Sequence, residues 1–194
     1  MLSAAKKNKG FSLVEILLVL GVIALLAIAA FVIYPRVRMA LDIQQERSNL
    51  MALQSGIRSV LSTQNGDYTA LGAIEETSGN LLANRAKVTP IIMNGGDYSG
   101  SNIVNSWGGN VVIHSTIGQF EGYARGRAFG IQYNNVPKDA CVQFVLGTIS
   151  GFTAAWINGN TGAGNYFTAK NATPERVIER CELQDRATIH FVSI

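Results

Sequence analysis

The chain has 194 residues and nearly balanced charge, with 16 Lys and Arg against 13 Asp and Glu. Three of the basic residues, Lys6, Lys7 and Lys9, lie within the first ten positions, so the remainder holds 13 residues of each sign. This balance argues against nucleic-acid binding through the overall charge of the protein.

A long apolar run follows these lysines. It extends over 24 residues from Phe11 to Tyr34, and as a helix it would measure about 36 Å, more than the roughly 30 Å hydrocarbon core of a bilayer. The short basic flank before the run predicts a cytoplasmic N terminus, with the later residues outside the cytoplasm. One carboxylate, Glu15, interrupts the run near its start.

Two processing sites compete in this region. Residues 27–29 offer an Ala-Ile-Ala site at which an ordinary signal peptidase would release a soluble domain. Against this, the run stays apolar as far as Tyr34, and an acid inside the apolar region of an ordinary signal is unusual. Cleavage between Gly10 and Phe11 would instead keep the whole apolar helix in the mature protein.

The helix is predicted to continue beyond the apolar run as an amphipathic helix that ends near Gln64, before turn residues Asn65 and Gly66. Pro35 lies between the two halves, where a tolerated bend and a functional hinge are both open. The apolar positions that recur at steps of three and four are Leu50, Leu53, Ile57, Val60 and Leu61.

The second half of the chain has the pattern of a small sheet with two helices. Residues 65–104 are rich in Gly, Asn, Ser and Thr, with a short helix predicted at 81–87. Helices are predicted at 136–150, with Pro137 in the first position, and at 173–181, with Thr173 as cap and Pro174 first. Strands of one antiparallel sheet are predicted at 110–115, 127–133, 152–157 and 187–194.

The two predicted helices of this half each have a candidate buried face. In the second, Val177 and Ile178 are expected to point inward. In the first, the apolar face consists of Cys141, Phe144, Val145 and Ile149.

Sites for chemistry are scarce. His114 and His190 lie on predicted strands without the spacing of a metal site, so structural roles are expected. The serine of residues 147–151 does not fit a nucleophile elbow, and the glycines of residues 159–165 do not fit a phosphate loop. The sequence predicts no catalytic residue, metal site or cofactor, and the protein is not expected to be an enzyme.

The segment KGFSLVE, residues 9–15, resembles the class III signal of type IV pilins and their pseudopilin relatives. The resemblance implies that residues 1–10 are a leader, that cleavage follows Gly10, and that Phe11 becomes N-methylated. It also implies that Glu15, the fifth mature residue, pairs with the N-terminal amine of Phe11 on a neighbouring subunit. The other interpretation of Glu15 is that its side chain extends to the nearby membrane surface.

The resemblance implies an α+β fold, in which a long N-terminal helix packs on an antiparallel sheet with a disulfide-closed C-terminal region. The expected divisions are a helix at 11–64, with 11–34 in the membrane or fibre core and 35–64 amphipathic, a connecting loop at 65–104, and a head at 105–194. Cys141 and Cys181, the only cysteines, are expected to be bonded in an exported head. NSWGGN at 105–110 resembles the turn before the first head strand, with Trp107 as a packing residue.

The C-terminal arrangement of helix, helix and strand resembles the type IVb subclass, whereas the ten-residue leader and Phe11 are more typical of type IVa. The implied function is a structural subunit of a pilus used for adhesion, aggregation, motility or conjugative transfer. A pseudopilin of a type II secretion system and a soluble periplasmic binding module are the alternatives.

The resemblance also implies the partners and the location. The partners are further pilin subunits, a prepilin peptidase, an inner-membrane platform, an assembly ATPase and an outer-membrane secretin. The location is the inner membrane before assembly, with a periplasmic head, and an extracellular fibre afterwards. The resemblance also implies contact with a host or recipient cell surface.

Overall fold

A computed structural model describes residues 11–74, 76–115, 124, 126–159 and 166–194. The chain divides into two compact units, residues 1–39 and 40–194. The second unit, called the head below, contains the sheet and the shorter helices.

Helix α1 extends over Leu13–Leu61, as the apolar and amphipathic patterns predict. Pro35 lies inside α1, so the proline does not end the helix. A short 3₁₀ turn at Ser62–Gln64 follows, and the chain then turns at Asn65 and Gly66, which both have positive φ. The predicted turn is thereby confirmed.

The head contains a four-stranded antiparallel sheet in the order β1-β2-β4-β3. All four predicted strands are present, although β2 extends four residues beyond its predicted end at 133 and contains a register shift between Tyr133 and Val136. Asn135, inside this shift, has a φ of 61°. The strands are β1 (Val111–Ser115), β2 (Phe129–Pro137), β3 (Ala154–Ile157) and β4 (Arg186–Ser193).

One face of the sheet and the second half of α1 supply the core. Gln54 and Arg58 of α1 both donate to the hydroxyl of Ser193 at the end of β4, over 2.9 and 2.7 Å. The buried apolar residues of α1 are Ile43, Leu50, Leu53, Ile57 and Leu61, and those of the facing strands include Ile113, Ile131, Ile189 and Phe191.

Two short helices lie in the segment before the sheet. Helix α2 (Ser78–Arg85) begins three residues before the helix predicted at 81–87, and helix α3 (Ile91–Asn94) was not predicted. Ile91 and Ile92 of α3 are both exposed. A four-residue helix with two exposed isoleucines is too short to show a periodic pattern of apolar residues in the sequence.

Helices α4 (Lys138–Thr148) and α5 (Pro174–Cys181) lie near their predicted positions, with three corrections. Pro137 precedes the first turn of α4 and ends β2, because its extended ψ of 143° suits a strand. The Thr173 side chain makes no capping hydrogen bond, although Pro174 does begin α5. Ile178 is 39% exposed while Val177 is fully buried, so the inward face of α5 is narrower than predicted.

The predicted disulfide between Cys141 and Cys181 is present and joins α4 to α5. Both cysteines are fully buried, with their Cα atoms 5.9 Å apart. The other members of the predicted apolar face, Phe144 and Val145 of α4 and Ile149 directly after it, are buried as well. The bridge therefore closes a packed region of the head.

Candidate assembly site

The first unit of the chain exposes an apolar surface. Its large apolar side chains between Phe11 and Val37 are all about half exposed or more, up to 81% at Phe11 and Phe31. By length and composition, α1 is the one helix among the described residues that could cross a membrane. Such a surface needs lipid or other protein to cover it, because water solvates it poorly.

The start of α1 is held by Ser12. Its hydroxyl accepts the backbone N–H of Val14 over 3.3 Å, and its carbonyl accepts the N–H of Ile16 over 3.2 Å. The contact of the hydroxyl is that of a helix cap. Ser12 was not singled out from the sequence, although a serine directly before an apolar run is a known start signal.

Glu15 lies in the first turn of α1 and is exposed. Phe11 and Glu15 are four residues apart and line one groove on the helix surface, together with Ile16, Val19 and Leu20. No described residue forms an ion pair with Glu15. Gly10, the expected last residue of the leader, lies outside the described residues.

The chemistry of this groove is that of a lone anion in apolar surroundings. A carboxylate at membrane depth costs on the order of 2.5 to 3.5 kcal/mol on insertion scales, so it favours a cationic partner. At the N-terminal end of a helix, the macrodipole stabilises the negative charge of Glu15 itself. The groove can therefore attract a positive group carried by another molecule.

A second carboxylate of α1 has the opposite surroundings. Glu46 is only 1% exposed, and its Oε1 accepts the backbone N–H and the hydroxyl of Ser106 over 2.7 and 2.6 Å. These bonds attach α1 to the turn before β1. Burial, and then the charge of Glu46, raise the pKa of Tyr133 well above its usual value. The sequence carried no signal for Glu46, since an acid on an amphipathic helix usually faces water.

The turn that Glu46 contacts has the geometry that NSWGGN predicts. The Oδ1 of Asn105 accepts the N–H groups of Trp107 and Gly109, each over 3.0 Å, and Gly108 has a φ of 76°. A side chain on Gly109 would meet the carbonyl of Asn134 at 1.8 Å. Trp107 is half-buried and meets Phe144 edge-on at 5.4 Å between ring centroids, so it is the packing residue that was predicted.

The two histidines pack together on the other face of the sheet. The rings of His114 and His190 are 6.0 Å apart and nearly perpendicular, and Trp156 stacks on His190 at 5.4 Å. Burial lowers the pKa of both, that of His190 to about 4 with a contribution from His114. These contacts match the structural role predicted for the pair. In the described part of the chain, no group of three or more potential metal ligands occurs.

Comparison with protein families gives two matches. Residues 40–194 match the family described as PilS N terminal, and residues 5–31 match the prokaryotic N-terminal methylation motif. No curated protein matches the sequence.

Solved structures show the same fold at low sequence identity. The crystal structure of a type IVb pilin from Salmonella typhi has a TM-score of 0.50 and 23% identity, and the match covers 76% of this chain and 97% of that one. TcpA, a type IV pilin from the Vibrio cholerae El Tor biotype, has a TM-score of 0.56 and 15% identity, with 79% and 99% covered.

The family match spans the whole head, and the methylation motif spans the start of the apolar helix. Pilins are structural proteins rather than enzymes, and neither a pseudopilin nor a soluble binding module is favoured by these matches. The chain therefore belongs to the PilS N-terminal family and is a type IV pilin, a structural subunit of a pilus.

Proposed function

We propose that the protein is cleaved between Gly10 and Phe11, N-methylated at Phe11, and polymerised through α1 into a surface fibre. The observation that carries this proposal is the exposed apolar surface of the first unit, interrupted by the single carboxylate of Glu15. Residues 11–34 would lie in the inner membrane before assembly and in the fibre core afterwards. Residues 35–64, the loop at 65–104 and the sheet region at 105–194 would remain outside the membrane.

The pairing partner proposed for Glu15 is the α-amino group of Phe11 on the next copy. Cleavage after Gly10 creates this amine at the start of the same groove that contains Glu15. Within a fibre core of low dielectric constant, an ion pair offsets the desolvation of both charges, whereas either charge alone is costly. The incoming copy is thus selected by its own processed N terminus.

The fibre requires other components, which follow from family membership rather than from a contact in this chain. They are a prepilin peptidase that cleaves and methylates, an inner-membrane platform, an assembly ATPase and an outer-membrane secretin. The head would occupy the periplasm before assembly and the extracellular surface of the fibre afterwards. Adhesion, aggregation, motility and conjugative transfer are the uses open to such a fibre.

Processing is tested with Gly10→Val. A branched side chain at the last leader position should block the peptidase, so the precursor should accumulate in the membrane with residues 1–10 attached. Mass spectrometry of the N-terminal peptide distinguishes this precursor from a chain that begins at methylated Phe11. Normal cleavage of the variant, or a mature start at Ala30, would refute the proposed site.

Fibre formation is tested in a strain that lacks this gene. Electron microscopy should show surface fibres in the parent strain and in the complemented strain, and these fibres should contain the subunit. A complemented strain in which the processed subunit accumulates without any fibre would contradict the proposal.

A further inference from the structure

Strand β1 is at one edge of the sheet, since the strand order is β1-β2-β4-β3. The backbone N–H and C=O groups of its even-numbered residues point toward β2. Those of Val111, Ile113 and Ser115 point the opposite way, outward from the edge of the sheet. A row of open N–H and C=O groups on such an edge is a template for pairing with a strand of another copy. Because subunits lie close to one another in a pilus, an open edge on β1 would readily pair with a strand of a neighbouring copy.

The edge of β1 is closed by a side chain. The Oδ1 of Asn80 accepts the N–H of Ile113 over 2.8 Å, and its Nδ2 donates to the carbonyl of Val111 over 2.8 Å. A neighbouring strand would make these same two bonds through its backbone. Asn80 lies in α2 and is 8% exposed, so its amide is fixed in this position.

The positions on either side of Asn80 are also occupied. The N–H of Val111 donates to the carbonyl of Ile103, and the N–H of Ser115 to the carbonyl of Gly72, each over 2.8 Å. The carbonyl of Ser115 accepts from Nδ1 of His114 over 3.0 Å. All three outward N–H groups of β1 therefore have partners.

The remaining outward carbonyl, that of Ile113, is covered by Gly79. A side-chain carbon at Gly79 would lie 2.0 Å from this oxygen, so only glycine permits the close approach of α2 to β1. Gly79 and Asn80 thus act together, one by lacking a side chain and the other by supplying an amide.

We propose that Gly79 and Asn80 form an edge cap that prevents β1 from pairing with a strand of a second copy of this chain. The cap confines association between copies to surfaces other than the sheet edge, α1 above all. Fibre growth through the groove of Glu15 then has no competing route through β1. The proposal assumes that copies assemble in a pilus, but the edge cap itself is measurable on subunits that are not assembled.

The test uses the full chain in detergent at one subunit per micelle, with amide exchange followed by NMR. In Asn80→Leu the N–H of Ile113 loses its partner, and its exchange should accelerate by about tenfold or more. At higher concentration the variant should associate, and the Ile113 amide should become protected again because a strand of another copy covers it. Asn80→Ser removes the two bonds to β1, together with the bond from Nδ2 to the carbonyl of Ser101 that Asn80→Leu also loses, without adding an apolar group. It should behave like Asn80→Leu.

The matched control is Asn84→Leu. Asn84 lies in the same helix and is fully buried, but its amide donates to the carbonyls of Gly100 and Asn102 rather than to β1. This variant should stay dispersed and keep the Ile113 amide protected. Association of the Asn84 variant to the same extent would show that loosening α2, not opening the edge, is responsible, and would overturn the proposal.

A double variant identifies the mode of association. Adding Val112→Lys to Asn80→Leu places a charge on the exposed edge strand, which should abolish association while exchange at Ile113 stays fast. Association that survives the lysine, or an Asn80→Leu chain with wild-type exchange at Ile113, would overturn the edge cap. None of these outcomes bears on Glu15, because fibre growth is not measured.

Discussion

Two stretches of the same helix differ in what covers their apolar residues. In the first unit, Leu17 and Leu25 of α1 are 60% and 70% exposed, whereas Leu50 and Leu53 in the head have no exposed surface. The residue type and the backbone conformation are the same in both places. The difference therefore lies in the partner, which the head supplies for the second stretch and which none of the described residues supplies for the first.

The buried stretch of α1 therefore contributes to folding, and the exposed stretch to association. Burying a leucine contributes about 1.5 to 3 kcal/mol, and for Leu50 and Leu53 that free energy stabilises the fold of one subunit. For Leu17 and Leu25, the free energy of burial is gained when the side chains enter a bilayer or pack against other copies. Mutations should therefore separate folding from association according to the region in which they lie.

The largest expected effect on folding comes from the disulfide, which lies wholly in the head. Replacing Cys141 and Cys181 by serine should lower the free energy of unfolding of the head by about 4 kcal/mol, the value for a loop of this length. Denaturant unfolding followed by the fluorescence of Trp107 and Trp156 would measure it. Membrane insertion should be unchanged, and an unchanged unfolding midpoint would show that the bridge is not structural.

A pair of leucine substitutions tests the contrast directly. Leu53→Ala should destabilise the head by about 3 to 4 kcal/mol, because it leaves a cavity in a closed core. Leu17→Ala should change head stability by less than about 0.5 kcal/mol, since its side chain is 60% exposed and lies outside the head. The same fluorescence measurement serves for both, and similar losses in the two variants would contradict the division.

A smaller effect is expected from pH. The pKa of His190 falls from 6.5 to about 4 in the folded head, so the unfolded chain binds the extra proton first as the pH drops. The associated stability is present above pH 6.5 and is lost by pH 4, by about 3 kcal/mol at most. His190→Phe keeps a ring against Trp156 and should flatten this dependence. Equal acid sensitivity in both proteins would exclude His190 as its source.

Several features of the fold could be predicted because their signals are local. The 24-residue apolar run and the three-and-four spacing after it specify α1, and alternation specifies the strands. The cysteine pairing followed from there being two cysteines in an exported head. The errors at Pro137 and Ile178 arose where a neighbouring element, not the local pattern, decides the outcome.

The features that could not be predicted depend on distant contacts. In the sequence, Asn80 is one of many polar residues in a loop-rich segment. In the structure, its amide bonds the edge strand β1, 31 to 33 residues further along the chain. From its place on an amphipathic helix, Glu46 would be expected to face water. It instead accepts a hydrogen bond from Ser106, which is 60 residues away in the sequence. Neither residue type nor periodicity specifies which backbone group will arrive beside such a side chain.

Glu15 is expected to support association between copies and to contribute nothing to the fold of one copy. Glu15→Val should be neutral or favourable for residence in the bilayer, because it removes a charge. It should nevertheless block fibre growth, because the amine of Phe11 on the adjacent copy is left unpaired in a core of low dielectric constant, at a cost of several kcal/mol. Glu15→Gln keeps the shape of the side chain without its charge, and Val19→Leu is a control for an apolar change in the same groove.

The deciding measurement is the amount of sheared surface fibre at matched membrane levels of the processed subunit. The two Glu15 variants should give less than about one tenth of the wild-type amount, as a cost of several kcal/mol requires. The Val19→Leu control should assemble normally. A wild-type yield of fibre from either Glu15 variant would contradict the pairing of Glu15 with Phe11.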